Sequence, residues 1–279
     1  MVTRTDYTGD AVQAARSVLL EVTRLLGAYR DRLVLVGGWV PGLLLPDAEP
    51  RHVGSLDIDL ALDHRRLGEP EYRTIRELLA GRGYEQDDRQ PFIFRRCVTI
   101  HGREIRVEVD LLAGEYEGSG KSRRTQKVHD VRPRKARGCD LAFDMAAEVE
   151  LHGTLPNGAS DSAKIRIATI VPFLVMKGMA LADRLKEKDA YDIHFCIKRY
   201  PGGMDALVTA FEPHVTHGLV AEGLAKIAGK FADLGGFGPT AVAGFEEAQD
   251  PDDRALIQRD AYEQTSTLLR RLGVTPAET

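Results

Sequence analysis

Apolar residues recur at positions 12, 15, 18, 19, 22, 25, 26 and 29, the spacing that turns one face of a helix toward a core. A short aliphatic run, Leu33–Val36, then meets Gly37-Gly38 and leads into Trp39–Leu45, which reads as strand, tight turn and short helix. After an irregular stretch with Pro46 and Pro50, residues 55–63 alternate. Leu56, Ile58, Leu60 and Leu62 lie on one face, and Ser55, Asp57, Asp59, Ala61 and Asp63 on the other. Pro70 at its entry and Gly81 at its exit mark a helix between them. Phe92–Ile100 and Arg103–Leu112 flank His101-Gly102 as a β-hairpin; Ile105, Val107, Val109 and Leu111 form its apolar face, Arg106, Glu108 and Asp110 its polar one. Two further strands are expected at Glu148–Thr154 and Lys164–Ile170, around a loop with Pro156-Asn157-Gly158. From Pro172 the pattern is helical, with breaks at Gly235–Gly244 and Asp250–Asp253 and a fraying end at Gly273–Thr279. This order predicts an α+β domain over residues 1–171 and a helical carboxy-terminal domain over residues 172–279.

Composition narrows the class. The chain has 279 residues, 43% of them hydrophobic and 29% charged, enough apolar material for a core and too much for a disordered chain. The longest uncharged run, Leu33–Leu45, contains glycines and a proline and falls short of the roughly 18 apolar residues of a membrane span. Residues 1–10 lack the basic-then-apolar order of a signal peptide. Cys97, Cys139 and Cys196 are odd in number and have no CxxC pairing, which argues against a disulfide framework or a thiolate zinc site. A soluble, cytoplasmic protein without a membrane partner is expected.

The net charge of −4 conceals an asymmetry. Lys121, Arg123, Arg124, Lys127, Arg132, Arg134, Lys135 and Arg137 face a single acid, Asp130, so this segment carries +7 and the rest of the chain −11. Such a band suits a polyanion such as RNA and equally suits an exposed, solvated loop.

Asp57 and Asp59, two apart on a strand, emerge on one face. Like charges side by side are costly without a cation between them, and Mg²⁺ takes carboxylate oxygen as ligand. Asp110 is a third acid on a neighbouring polar face; three such carboxylates suit a pair of metals about 4 Å apart, the clamp of in-line phosphoryl chemistry. An isolated DxD reads more simply as a solvent-facing acidic strand. The glycines upstream add weight, because Gly37-Gly38 lets backbone approach a phosphate. Neither a P-loop nor a dinucleotide fingerprint is present.

Val36-Gly37-Gly38, then Leu56-Asp57-Ile58-Asp59-Leu60, then Val109-Asp110-Leu111 resembles the signature of the nucleotidyltransferase superfamily that shares its fold with DNA polymerase β. A second patch, Lys177-Gly178-Met179-Ala180-Leu181-Ala182-Asp183-Arg184, followed by Lys188-Asp189 and Asp192-Ile193, is similar to a stretch of the AbiEii-type nucleotidyltransferases, toxins of toxin–antitoxin and abortive-infection systems. The two patches cover roughly 40 residues, and their combination is more specific than either alone. The resemblance implies a polymerase-β-like mixed sheet with flanking helices and a helical domain completing the active site. It implies Mg²⁺ or Mn²⁺ on Asp57, Asp59 and Asp110, with Asp110 assisting the attacking hydroxyl, and catalytic parts for Lys177 and Asp192. It further implies an NTP held by Gly37, Gly38, Ser55, Lys177, Arg184 and Asp189, an RNA acceptor with tRNA 3′ ends foremost, and a cognate antitoxin. Many relatives carry a hydroxyl residue beside the glycines; Trp39, Val40 and Pro41 stand there, and Ser55 is the expected substitute.

From spacing alone, Lys177, Leu181, Arg184 and Lys188 form one stripe of a helix. That stripe fits a salt-bridged surface with Asp189 as an N-cap better than a phosphate site; the resemblance reverses the order. Two rivals stand beside the RNA-modifying transferase. One transfers to a small molecule such as an aminoglycoside, or to a protein hydroxyl; the other binds nucleotide or a partner without transfer. His214 and His217 are set aside as helix surface, His194 and Cys196 as packing, and Trp39 as core beside the glycine turn or a base-stacking ring.

Overall fold

A computed structural model describes residues 3–63, 65–67, 69–114 and 133–274. The elements are α1 (Gly9–Leu25), β1 (Leu33–Val36), α2 (Val40–Leu44), β2 (Asp57–Leu62), α3 (Glu69–Gly81), β3 (Glu85–Gln86), β4 (Ile93–Ile100), β5 (Arg103–Ala113), β6 (Arg134–Lys135), α4 (Cys139–Asp144), β7 (Ala146–Thr154) and β8 (Ser160–Ala168). Six helices follow: α5 (Ile170–Arg184), α6 (Glu187–Arg199), α7 (Gly203–Phe211), α8 (Gly218–Lys230), α9 (Phe237–Phe245) and α10 (Pro251–Arg271). The fold is α+β, with a mixed sheet and flanking helices.

The chain divides into a sheet unit, Tyr7–Leu43 with Gly54–Thr169, and a helical unit, Met1–Asp6 with Leu44–Val53 and Ile170–Thr279. Leu44–Val53, a stretch with no period of its own, belongs to the helical unit although it lies between β1 and β2 in the chain.

In the sheet unit the strand order is β3-β4-β5-β2-β1-β8-β7, with β6 joined to β5. β1 runs antiparallel to β2 and parallel to β8, and β2 runs parallel to β5. Alternation decides the faces: Ile58, Leu60, Val107, Val109 and Leu111 are fully buried, leaving Asp57, Asp59, Glu108 and Asp110 on the other side. Helix α1 starts at Thr8, whose side chain accepts from the Ala11 amide, and buries Ala14, Ala15, Val18, Leu19 and Val22 as it packs on β4, β5, β7 and β8. It stops at Leu25 rather than continuing to Tyr29, the next residues forming a 3₁₀ turn. The β4–β5 hairpin turns at His101 and Gly102, both with positive φ, the conformation that a two-residue connection between twisted strands demands. β4 pairs with β5 as far as Asp110; beyond it, β6 takes over at Leu112 and Ala113.

In the helical unit, α5 and α8 meet backbone to backbone. A Cβ at Gly178 would lie 2.4 Å from the Gly223 carbonyl oxygen, and one at Gly223 would lie 2.8 Å from the Val175 Cα. Phe173, Phe211, Phe231 and Phe245 fill the core. The helical pattern expected without interruption past Arg184 is broken: Leu185 takes positive φ, and Lys186 is the extended N-cap of α6. Lys188 and Asp189 therefore belong to a second helix, so the expected single cationic stripe does not exist, and Asp189 is not the cap. Among the described residues no helix is long and apolar enough to cross a membrane.

Candidate active site

Register places the acids of the sheet unit. Asp59 lies opposite Asp110 across β2 and β5, and Asp57 lies opposite Glu108, so four carboxylates share one patch of the sheet. On its other side Asp59 pairs with Val36, the last residue of β1, which brings Gly37 over the Asp59 side chain. Gly37 has φ +72°, and a Cβ there would lie 2.0 Å from Asp59 Oδ2. A Cβ at Gly38 would lie 2.4 Å from Ser55 Oγ. The two glycines are thus required by close approach to the acidic strand. Ser55 donates to Asp57 Oδ1 at 2.6 Å.

Two arginines answer these acids differently. Arg95, opposite Glu108 in the register, donates to it at 2.9 Å and also to Asp87. Arg134, opposite Leu112 on β6, lies 3.8 Å from Asp59 Oδ1 and 3.5 Å from Asp110 Oδ2, with its guanidinium 5.9 Å from the Phe92 ring centre. Of the basic band, Arg134 is therefore directed at the aspartate pair, Lys135 is on β6, and Arg137 is exposed. Lys121, Arg123, Arg124, Lys127 and Arg132 lie outside the described residues.

Asp57, Asp59 and Asp110 offer only carboxylate oxygen, the donor that suits Mg²⁺ or Mn²⁺, and the glycine cradle keeps Asp59 clear of other side chains on one flank. The donor chemistry fits a hard divalent cation. Among the described residues no three His, Cys, Asp or Glu side chains are gathered as a ligand set: Asp57 turns to Ser55, and Asp59 and Asp110 to Arg134.

The second charged constellation belongs to the helical unit. Lys177 on α5 is 6% exposed, with its ammonium 2.7 Å from Asp189 Oδ1 and 2.7 Å from Asp192 Oδ2. Arg184 holds Asp189 through two nitrogens, at 2.7 and 2.9 Å, while 46% of its side chain stays open. Lys188 and His52 both reach Asp192 Oδ1, His52 through Nε2 at 2.9 Å. Burial opposes the charge on Lys177, yet Asp189 and Asp192 raise its pKa above the ordinary lysine value. Burial likewise opposes charge on Asp192, but Lys177, Lys188 and His52 hold it far below the usual carboxylate range. Burial, reinforced by Lys188, pushes His52 down to about 4. It is neutral at pH 7, and the carboxylate beside Nε2 fixes the proton on that nitrogen.

Sequence reasoning missed His52 and Glu108. Glu108 had a signal, two residues before Asp110 on the same strand face. His52 had none, since it sits in an aperiodic stretch and only packing against Tyr191 and Phe195 brings it to Asp192. His217 caps α8 by accepting from the Leu219 amide, so it is not half of a metal pair with His214. His194 is more than packing: its Nε2 lies 2.8 Å from Asp260 Oδ2. No protein-family model matches this chain, and neither a curated protein nor a solved structure matches it.

Proposed function

We propose that the chain is a metal-dependent nucleotidyltransferase that moves NMP from an NTP to an acceptor hydroxyl, releasing pyrophosphate, and that the acceptor is RNA, with tRNA 3′ ends foremost. The observation that carries this reading is the register pair Asp59–Asp110 beneath Gly37, with Asp57 two residues earlier on the same face. A bound Mg²⁺ or Mn²⁺ supplies charge neutralisation on the triphosphate and a Lewis acid at the reacting phosphorus. Asp110 has the second part of accepting the proton of the attacking hydroxyl. Gly37 and Gly38 let the turn after β1 lie directly against Asp59 and Ser55, which sets bare backbone beside the carboxylates. Within the helical unit, Arg184 is a cation suited to phosphate, because nearly half of its side chain is open while the buried Asp189 holds its guanidinium. The resemblance adds a toxin restrained by an antitoxin, and the charge of the basic band suits contact with an RNA backbone.

The test is transfer itself. The protein is incubated with each labelled NTP, Mg²⁺ or Mn²⁺ and total tRNA, beside Asp59→Ala. Label that enters tRNA and is lost with the variant supports the reading. Label that enters only an aminoglycoside or a protein changes the acceptor and keeps the chemistry. Absence of transfer to any of these, with every NTP, overturns it.

A further inference from the structure

We propose that Arg134 is a built-in counter-cation of the Asp59–Asp110 pair and competes with a divalent cation for it, so that the site loads metal better when an anionic ligand draws the guanidinium away. The proposal rests on the metal reading above and concerns what governs occupancy of that site.

Two carboxylates opposite each other on adjacent strands repel unless a positive charge intervenes. Arg134 supplies one such charge to both, carried there by β6, which pairs with β5 two residues beyond Asp110. The seat is loose. Charge-assisted N–H···O bonds are about 2.7–2.9 Å long, and Arg95 meets Glu108 on the same face at 2.9 Å. Arg134 stands instead 3.5 and 3.8 Å from its two oxygens, and its Nε is buried without a hydrogen-bond partner among the described residues. The attraction is therefore Coulombic, without the two-pronged fork that locks an arginine onto a carboxylate. Phe92 supports the guanidinium from 5.9 Å, and 36% of the side chain is open, which leaves a way out.

A divalent ion bonds carboxylate oxygens at about 2.0–2.1 Å, so on Asp59 Oδ1 and Asp110 Oδ2 it meets the positive charge of a guanidinium 3.8 and 3.5 Å from those same oxygens and competes with it for their charge. Once displaced, Arg134 remains beside the site as a free guanidinium, the group best matched to a phosphate. Linkage then requires that a triphosphate tighten cation binding more in the native protein than in one without this arginine.

Mn²⁺ titration of the 279-residue chain, read by electron paramagnetic resonance without nucleotide, tests this independently of catalysis. Arg134→Gln is expected to bind Mn²⁺ about tenfold tighter than the native protein and to show a smaller gain on adding a non-hydrolysable NTP analogue. Arg134→Lys, with its charge on a shorter reach, is expected to fall between them and serves if the Gln variant does not fold. Equal or weaker Mn²⁺ binding by a folded variant, with native binding intact and abolished by Asp59→Asn, overturns the competition and leaves the metal reading standing. Absence of Mn²⁺ binding by every form overturns both.

Discussion

Asp59 occupies the space that a side chain at position 37 would need: its Oδ2 lies 2.0 Å from where a Cβ on Gly37 would stand. Two separate demands therefore fall on Gly37, a positive φ and an absent side chain. Gly37→Ala is expected to cost about 1–3 kcal/mol in chemical denaturation. Combining it with Asp59→Ala relieves the clash but not the backbone strain, so the double variant is expected to recover part of the loss. Strict additivity of the two changes would show that they are uncoupled.

Asp59→Asn removes one of two facing negative charges on neighbouring strands of the sheet. It is expected to abolish transfer while changing stability by no more than about 1 kcal/mol, because Asp110 keeps Arg134. A large fall in melting temperature would show that the acid is structural.

Asp192 balances two buried lysines and accepts from His52. Asp192→Ala leaves Lys177 and Lys188 short of charge in a dry interior and is expected to cost about 3–5 kcal/mol. A denaturant midpoint within error of the native value would refute this role.

His52 makes stability depend on pH. Its folded pKa of about 4 lies below the unfolded value of 6.5, so between these values the unfolded chain binds more protons and stability falls as pH falls. The loss amounts to about 3 kcal/mol by pH 4 and is absent above pH 6.5. Asp192, also held low, extends the loss below its unfolded value of 3.8. His52→Gln keeps a donor for Asp192 and is expected to flatten the profile between pH 6.5 and 4. An unchanged profile in urea titrations at several pH values would remove His52 as the cause.

If the basic band contacts RNA, replacing Lys121, Arg123, Arg124 and Lys127 with Gln weakens tRNA binding uniformly across sequences. Each lost phosphate contact lowers the slope of log Kd against log salt by roughly 0.7–0.9. Filter binding at several salt concentrations reads this slope.

Periodicity alone determined most of the framework. The alternation from Ser55 to Asp63 and from Arg103 to Leu112 foretold β2, β5 and the common face of Asp57 and Asp59, because a strand exposes every second residue whatever surrounds it. The strand ending at Gly37 was legible for the same local reason. The interruption at Leu185 was not, since both flanking segments have a helical period and only the tertiary structure forces the chain to turn between them.

What tertiary structure decided is which charges meet. Asp59 faces Asp110 because β2 and β5 are neighbours in parallel register, a pairing between distant segments that no local pattern encodes. Arg134 left the basic band for the aspartates because β6 docks at the end of β5. His52 reached Asp192 from an aperiodic stretch, and Lys177, read as an exposed cation, proved to be buried between two carboxylates. Helix and strand are selected by short-range sterics and spacing, whereas the partner of a charge is selected by whichever segment the fold brings within a few ångströms.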